Sequence, residues 1–155
     1  MLRLDLDAWS ADRLAEQQAK DPELSTIYGW KLAALKTGSD EAPSWSEIEA
    51  CDVATTNYWT SWSLLTLRDR VLNRKWMSAS NGVVEYHQLL VPMEKRFDLI
   101  RQCHSGSTGG DLCIAKTSDQ ATRRAYWYGW RDTVRRVVRQ CGECTKYHLR
   151  APPKQ

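Results

Sequence analysis

Four positions in the last third of the chain carry side chains that could together hold a metal ion: His104, Asp111, Cys141 and Cys144. Cys141-Gly142-Glu143-Cys144 is a C-x2-C turn, which delivers two thiolate sulfurs from one tight loop. A structural zinc site takes four ligands in a tetrahedron, mostly thiolates and imidazoles. His104 adds an imidazole. The fourth ligand is open between two residues. Asp111 offers a carboxylate, which zinc accepts, while Cys113 offers a softer sulfur if the chain after Gly109-Gly110 turns it inward. The competing reading is that Cys103, Cys113, Cys141 and Cys144 are reduced, partly buried thiols in a fold that needs no metal. Cys103-His104 is not read as a catalytic pair, because a reactive thiol needs a base placed by the fold rather than by adjacency.

These ligands must be positioned by helices. Pro92 predicts a helix from about Met93 to Cys103, with Phe97, Leu99, Ile100 and Cys103 facing a core and His104 at its end. A second helix is expected from Leu112 to Arg124 and a third from Arg131 to Gln140. In the third, Val134, Val137 and Val138 form an apolar stripe while Arg135, Arg136 and Arg139 face away. Upstream, Ser10 caps a helix over residues 11–19, and Asp21-Pro22 supplies a cap and a first-turn proline for a helix ending near Thr37-Gly38. Its apolar stripe is Leu24, Ile27, Tyr28, Leu32 and Leu35. After a polar linker from Gly38 to Pro43, Ser44-x-x-Glu47 reads as a capping box opening another helix, with Tyr58, Trp59 and Trp62 at or just past its end. The period then changes. Leu65, Leu67, Val71 and Leu72 flank a hairpin at Arg68-Asp69-Arg70, and Asn81-Gly82 is a two-residue turn before a strand over 83–91. The expected fold is mostly α with a small antiparallel sheet, an α+β chain of two modules: residues 1–91, helices then sheet, and residues 92–155, a three-helix unit.

The ordered pieces from Leu90-Val91-Pro92 through Lys154 resemble the N-terminal zinc-binding domain of retroviral and Gypsy-class LTR-retrotransposon integrases. They comprise the strand-to-helix entry at Pro92, the helix-ending His104, Gly109-Gly110, Lys116-Thr117, the cluster Ala125-Tyr126-Trp127-Tyr128-Gly129-Trp130, and Cys141-x2-Cys144. Gln18-Ala19-Lys20-Asp21-Pro22-Glu23-Leu24 is similar to a Gln-x-x-Asp-Pro-x-Leu stretch in the extension that precedes this domain in Gypsy-class elements. The resemblance implies zinc held by His104, Asp111, Cys141 and Cys144, with Cys113 as the alternative. It also implies self-association and contact with DNA. The chain departs from the family at Asp111, where a second histidine is usual, at Cys113 and Arg70, where glycines are usual, and at Tyr128, where a proline is usual. The family's catalytic carboxylates are expected only after Lys154, so the 155 residues are expected to be non-catalytic.

Charge is uneven along the chain. Residues 1–62 hold eleven Asp and Glu against five Lys and Arg, a balance of −6, and residues 116–155 hold three against ten, a balance of +7. Arg123, Arg124, Arg131, Arg135, Arg136, Arg139, Lys146 and Arg150 form a candidate surface for phosphates or for an acidic partner. The eight tryptophans accompany a single phenylalanine, so most are expected to fill cores and a minority to anchor partners. No run approaches the roughly 20 apolar residues of a membrane span, and the first residues do not read as a signal peptide. The expected protein is an integrase-derived interaction module, domesticated by a host, nuclear or cytoplasmic. It forms a homodimer or binds a host protein, with DNA as a further partner and no membrane or small-molecule substrate. The alternative is the N-terminal part of an active integrase. A gene continuing into an Asp…Asp…Glu core separates the two.

Overall fold

The computed structural model describes residues 9–78, 84–104 and 110–141, without the side chains of 77–78, 84 and 110–113. Asn81-Gly82 lies outside these residues. The described elements run α1 (Ala11–Lys20), α2 (Ser25–Thr37), α3 (Trp45–Ile48), α4 (Val53–Thr60), a 3-10 turn (Trp62–Leu64), β1 (Leu65–Arg68), β2 (Val71–Ser78), β3 (Val84–Leu90), α5 (Met93–His104), α6 (Gly110–Thr122), β4 (Ala125–Tyr126) and α7 (Trp130–Arg139). The α+β class expected from the sequence is the class observed. The sheet order is β1-β2-β3-β4, antiparallel between the first three strands and parallel between β3 and β4. The sheet is therefore mixed rather than purely antiparallel. Its last strand comes from the aromatic cluster, where Leu89 pairs with Ala125 and Leu90 with Tyr126.

Helix starts follow the side chains that satisfy their first amides. Ser10 Oγ accepts from the Arg13 N–H, and Asp52 from the Thr55 N–H. The expected single helix after Ser44 is two helices, because the Asp52 cap restarts the chain after the short α3. Asp21, 5 % exposed, serves two helices at once. Its Oδ1 accepts from the Glu23 and Leu24 amides at the entry to α2. Its Oδ2 accepts from the Met93 N–H at the first residue of α5, at 2.6 Å.

At the turn between β1 and β2, Asp69 and Arg70 both lie in the left-handed region, at φ 52° and 65°. That is the backbone a tight two-residue hairpin requires. Arg70 holds it without being glycine, and its carbonyl accepts from the Tyr28 hydroxyl at 2.8 Å.

One core runs from Trp9, Leu14 and Leu24 through Leu72, Leu90 and Val91 to Leu99, Ile100, Trp127, Val134 and Val138. The line drawn between residues 91 and 92 is crossed by this core, by the β3–β4 ladder, and by a partly buried ion pair of Arg96 with Glu23 at 2.6 Å. Two expectations for core residues fail. Phe97 is 49 % exposed, and the inward position near it belongs to Arg96, whose guanidinium donates to the Val91 carbonyl. Leu35 is 64 % exposed because α2 outruns the core; a turn earlier, Lys31 is buried against Asp40, the Trp62 carbonyl and the Trp62 ring. Of the tryptophans, Trp9, Trp62 and Trp127 are buried, Trp30, Trp59 and Trp130 half-buried, and Trp45 and Trp76 exposed. Most of them fill the interior.

Gln18 joins these layers. It is fully buried on α1, and its amide nitrogen donates to the carbonyls of Leu72 (3.0 Å) and Leu90 (2.7 Å) while its oxygen accepts from the Leu72 N–H (2.7 Å). The β2–β3 register stops at Asn73 and Leu89, so the side chain fills the next rung of the ladder. Gln18→Ala would leave these buried backbone groups without partners, at about 1–3 kcal/mol each. Chemical denaturation is expected to show a loss of about 3 kcal/mol or more. Gln18→Glu is expected to be no better, since a carboxylate would face two carbonyl oxygens.

Candidate functional site

Helices α5, α6 and α7 pack pairwise through Leu99, Ile100 and Cys103, through Thr117 and Ala121, and through Val134 and Val138, all buried. His104 closes α5. Its ring is half-buried against α6, with Nδ1 3.2 Å from the Thr117 hydroxyl. Thr117 is itself fully buried. Cys141 follows α7 directly, half-buried, and its N–H donates to the Val138 carbonyl at 3.1 Å. Asp111 and Cys113 occupy the second and fourth residues of α6, but their side chains lie outside the description. So do Cys144, Lys146 and Arg150. Among the described residues no group of three His, Cys, Asp or Glu side chains gathers. His104 and Cys141 are the candidate ligands whose side chains fall within them.

The ring contact bears on whether these residues suit zinc. Histidines that ligate a metal through one nitrogen almost always donate the other N–H to an oxygen, which fixes tautomer and orientation. Thr117 provides such an oxygen at Nδ1. Cys103 differs. It is 5 % exposed within the core, and burial pushes its thiol up, which favours the protonated form and an apolar packing role over that of a nucleophile.

The basic residues fall into two sets. Arg135, Arg136 and Arg139 lie on the exposed side of α7. Arg123, Arg124 and Arg131 instead line a groove of about 900 Å³ between the sheet and the ends of α6 and α7. There they meet Arg74, Trp76, Tyr86 and Gln88, which the reading of charge along the sequence missed. The available signal was alternation: Arg74 and Trp76 on β2, and Tyr86 and Gln88 on β3, recur at spacing two and pair across the strands.

The aromatic cluster shapes both regions. Tyr126 belongs to β4, Trp127 is buried with its indole N–H on Thr133, and Gly129 turns at φ 78° into α7. At Tyr128 the main-chain N–H donates to the hydroxyl of Tyr58 at 2.9 Å. Tyr58 is 1 % exposed, and burial holds its phenol well above the usual range, so it stays neutral at any physiological pH.

Residues 91–150 match the family model described as integrase zinc binding domain. No curated protein and no solved structure matches the chain. The matched span begins on the strand-to-helix junction, holds α5, α6, β4 and α7, and includes each candidate ligand. This part of the chain is integrase-like, and the domain it resembles is by description a zinc-binding one.

Proline, usual at position 128 in the resembling family, has no N–H to give to Tyr58. Tyr128→Pro is therefore expected to lower stability by about 1–2 kcal/mol without changing secondary structure, as read by denaturation and circular dichroism.

Proposed function

We propose that this chain is a non-catalytic interaction module derived from the integrase of a Gypsy-class retrotransposon and kept by a host, which associates with itself and with protein partners in the nucleus. The observation that carries this reading is apolar surface held on fixed elements. Trp45 (57 % exposed), Val53 (67 %), Met93 and Phe97 (49 % each) and Tyr128 (39 %) stand out from a core that is already complete. Large exposed side chains on a rigid frame are the usual anchors of an interface. Domestication is supported by the departures at Arg70, Asp111, Cys113 and Tyr128, two of which carry their own local hydrogen bonds. The acidic first part and basic last part of the chain suit association of copies.

Zinc in this reading is structural. It would be held by His104, Cys141, Cys144 and either Asp111 or Cys113, tying the end of α5 and the start of α6 to the segment after α7. The protein residues then hold the three helices together, and Thr117 orients the His104 ring. Elemental analysis of the purified protein is expected to give one zinc per chain, and a chelator is expected to lower the melting temperature and unfold α5–α7. Thr117→Val should weaken zinc binding about 10–100-fold. A protein without metal, melting alike with and without chelator, would remove zinc from the reading.

Association is tested separately. Val53 is the first residue of α4, where a carboxylate is compatible with the helix N-terminus. Val53→Asp should leave the fold intact while putting a charge into an apolar interface. Light scattering is expected to give a dimer mass for the parent protein and a shift toward monomer for the variant. A parent that is strictly monomeric at high micromolar concentration contradicts self-association.

A further inference from the structure

The groove on the open side of the sheet is built from flat rings, guanidinium groups and two buried polar atoms that lack partners. Trp76 on β2 and Tyr86 on β3 are register neighbours and are 47 % and 44 % exposed. Two residues along the same face, Arg74 is paired with Gln88. The Arg74 guanidinium lies 4.1 Å from the centroid of the Tyr126 ring and 5.6 Å from that of Trp76. At the far wall the Arg131 guanidinium is 5.3 Å from the Trp130 ring. Arg123 and Arg124 complete the lining, and its one carboxylate, Asp119, is already paired with Arg123 at 3.1 Å. The groove is therefore cationic and aromatic together.

Gln88 ties the floor of the groove to the end of α6. It is 5 % exposed, and its amide nitrogen donates to the Thr122 carbonyl at 2.5 Å. A carbonyl can only accept, so this contact fixes which way the amide points. Its Oε1 is buried with no hydrogen-bond partner among the described residues, and so is the Nε of Arg74 opposite it. Buried groups of this kind are rarely left unpaired. The exposed rings of Trp76 and Tyr86 offer flat faces that match the π-face of a heterocyclic base. The arginines around them match phosphates.

We propose that this groove binds single-stranded nucleic acid, with unpaired bases stacking on Trp76, Tyr86 and Trp130 and the backbone following Arg123, Arg124 and Arg131. Rings can stack only on bases taken out of a duplex. An acidic peptide would use the arginines but would leave the ring platform without a role. The site is separate from the candidate zinc ligands and from Val53, so it stands or falls apart from the function proposed above.

The test is fluorescence anisotropy of the full chain with a labelled mixed-sequence 12-nucleotide DNA, its RNA counterpart, the same DNA as a duplex, and an acidic peptide of equal length. One of the two single strands is expected to bind more tightly than duplex and peptide, and the tighter of them identifies the preferred sugar. Three phosphate contacts predict a slope of log affinity against log salt of about −2. Trp76→Ala with Tyr86→Ala, and each single variant, with the fold of each checked by circular dichroism, should weaken binding about tenfold or more per stacked base. Arg135→Glu with Arg136→Glu, outside the groove, should change it far less. Equal or tighter binding of the duplex or the peptide, no binding of either single strand at low salt, or unchanged affinity in the double ring variant would each overturn the proposal.

Discussion

The side-chain amide of Gln18 stands where three layers meet, and the rest of the architecture depends on its being satisfied. The pairing of β2 with β3 ends at Asn73 and Leu89, while Leu72 stays paired with β1 and Leu90 with β4. The Leu72 and Leu90 backbone groups that Gln18 meets lie beyond that last rung, inside a core where water cannot compensate. A primary amide has a donor and an acceptor in the geometry of a peptide unit, so Gln18 stands in for a missing piece of strand. Three residues on, Asp21 does the equivalent for helices, closing the start of α2 with one oxygen and the start of α5 with the other. The short segment 18–24 thereby fixes the relative placement of α1, α2, the sheet and α5.

How much of this was legible in the sequence depends on whether the signal was local. Helix bounds were readable within a few residues, since Ser10, Gly38, Pro92 and Gly129 act on their own neighbourhoods. The Gln18 to Leu24 stretch was visible as a resemblance, yet nothing in its composition says that an α1 glutamine reaches residues 54 and 72 positions away. Periodicity gave Phe97 to the core, but Arg96 took that side because Glu23 and the Val91 carbonyl lie there to neutralise and bond it. The groove was the least legible part. Its residues come from three strands, a turn and two helix ends, and only the fold brings Arg74 and Gln88 beside Arg123 and Arg131. Of the candidate metal ligands the sequence placed His104 and Cys141 at helix ends, as observed, while the Thr117 contact that orients the imidazole was not foreseen.

The departures from the resembling family have local physical sense where their surroundings are described. Tyr128 carries an N–H that a proline would lack, and a buried phenol accepts it. Arg70 adopts a left-handed backbone that costs an L-residue roughly 1 kcal/mol, and the Tyr28 hydroxyl on its carbonyl helps hold the turn. Neither change disturbs the frame.

The parallel pairing of β3 with β4 bears on the order in which the chain can fold. Antiparallel β1, β2 and β3 are neighbours in sequence and can form early, whereas Leu89 meets Ala125 only after the intervening α5 and α6 have taken shape. Closing contacts so distant in sequence slows the approach to the native state. β4 covers only the Leu89–Leu90 end of β3, so among the described residues the rest of that outer edge has no strand paired to it. Such an edge is a template for pairing with another chain, before the fold is complete and after.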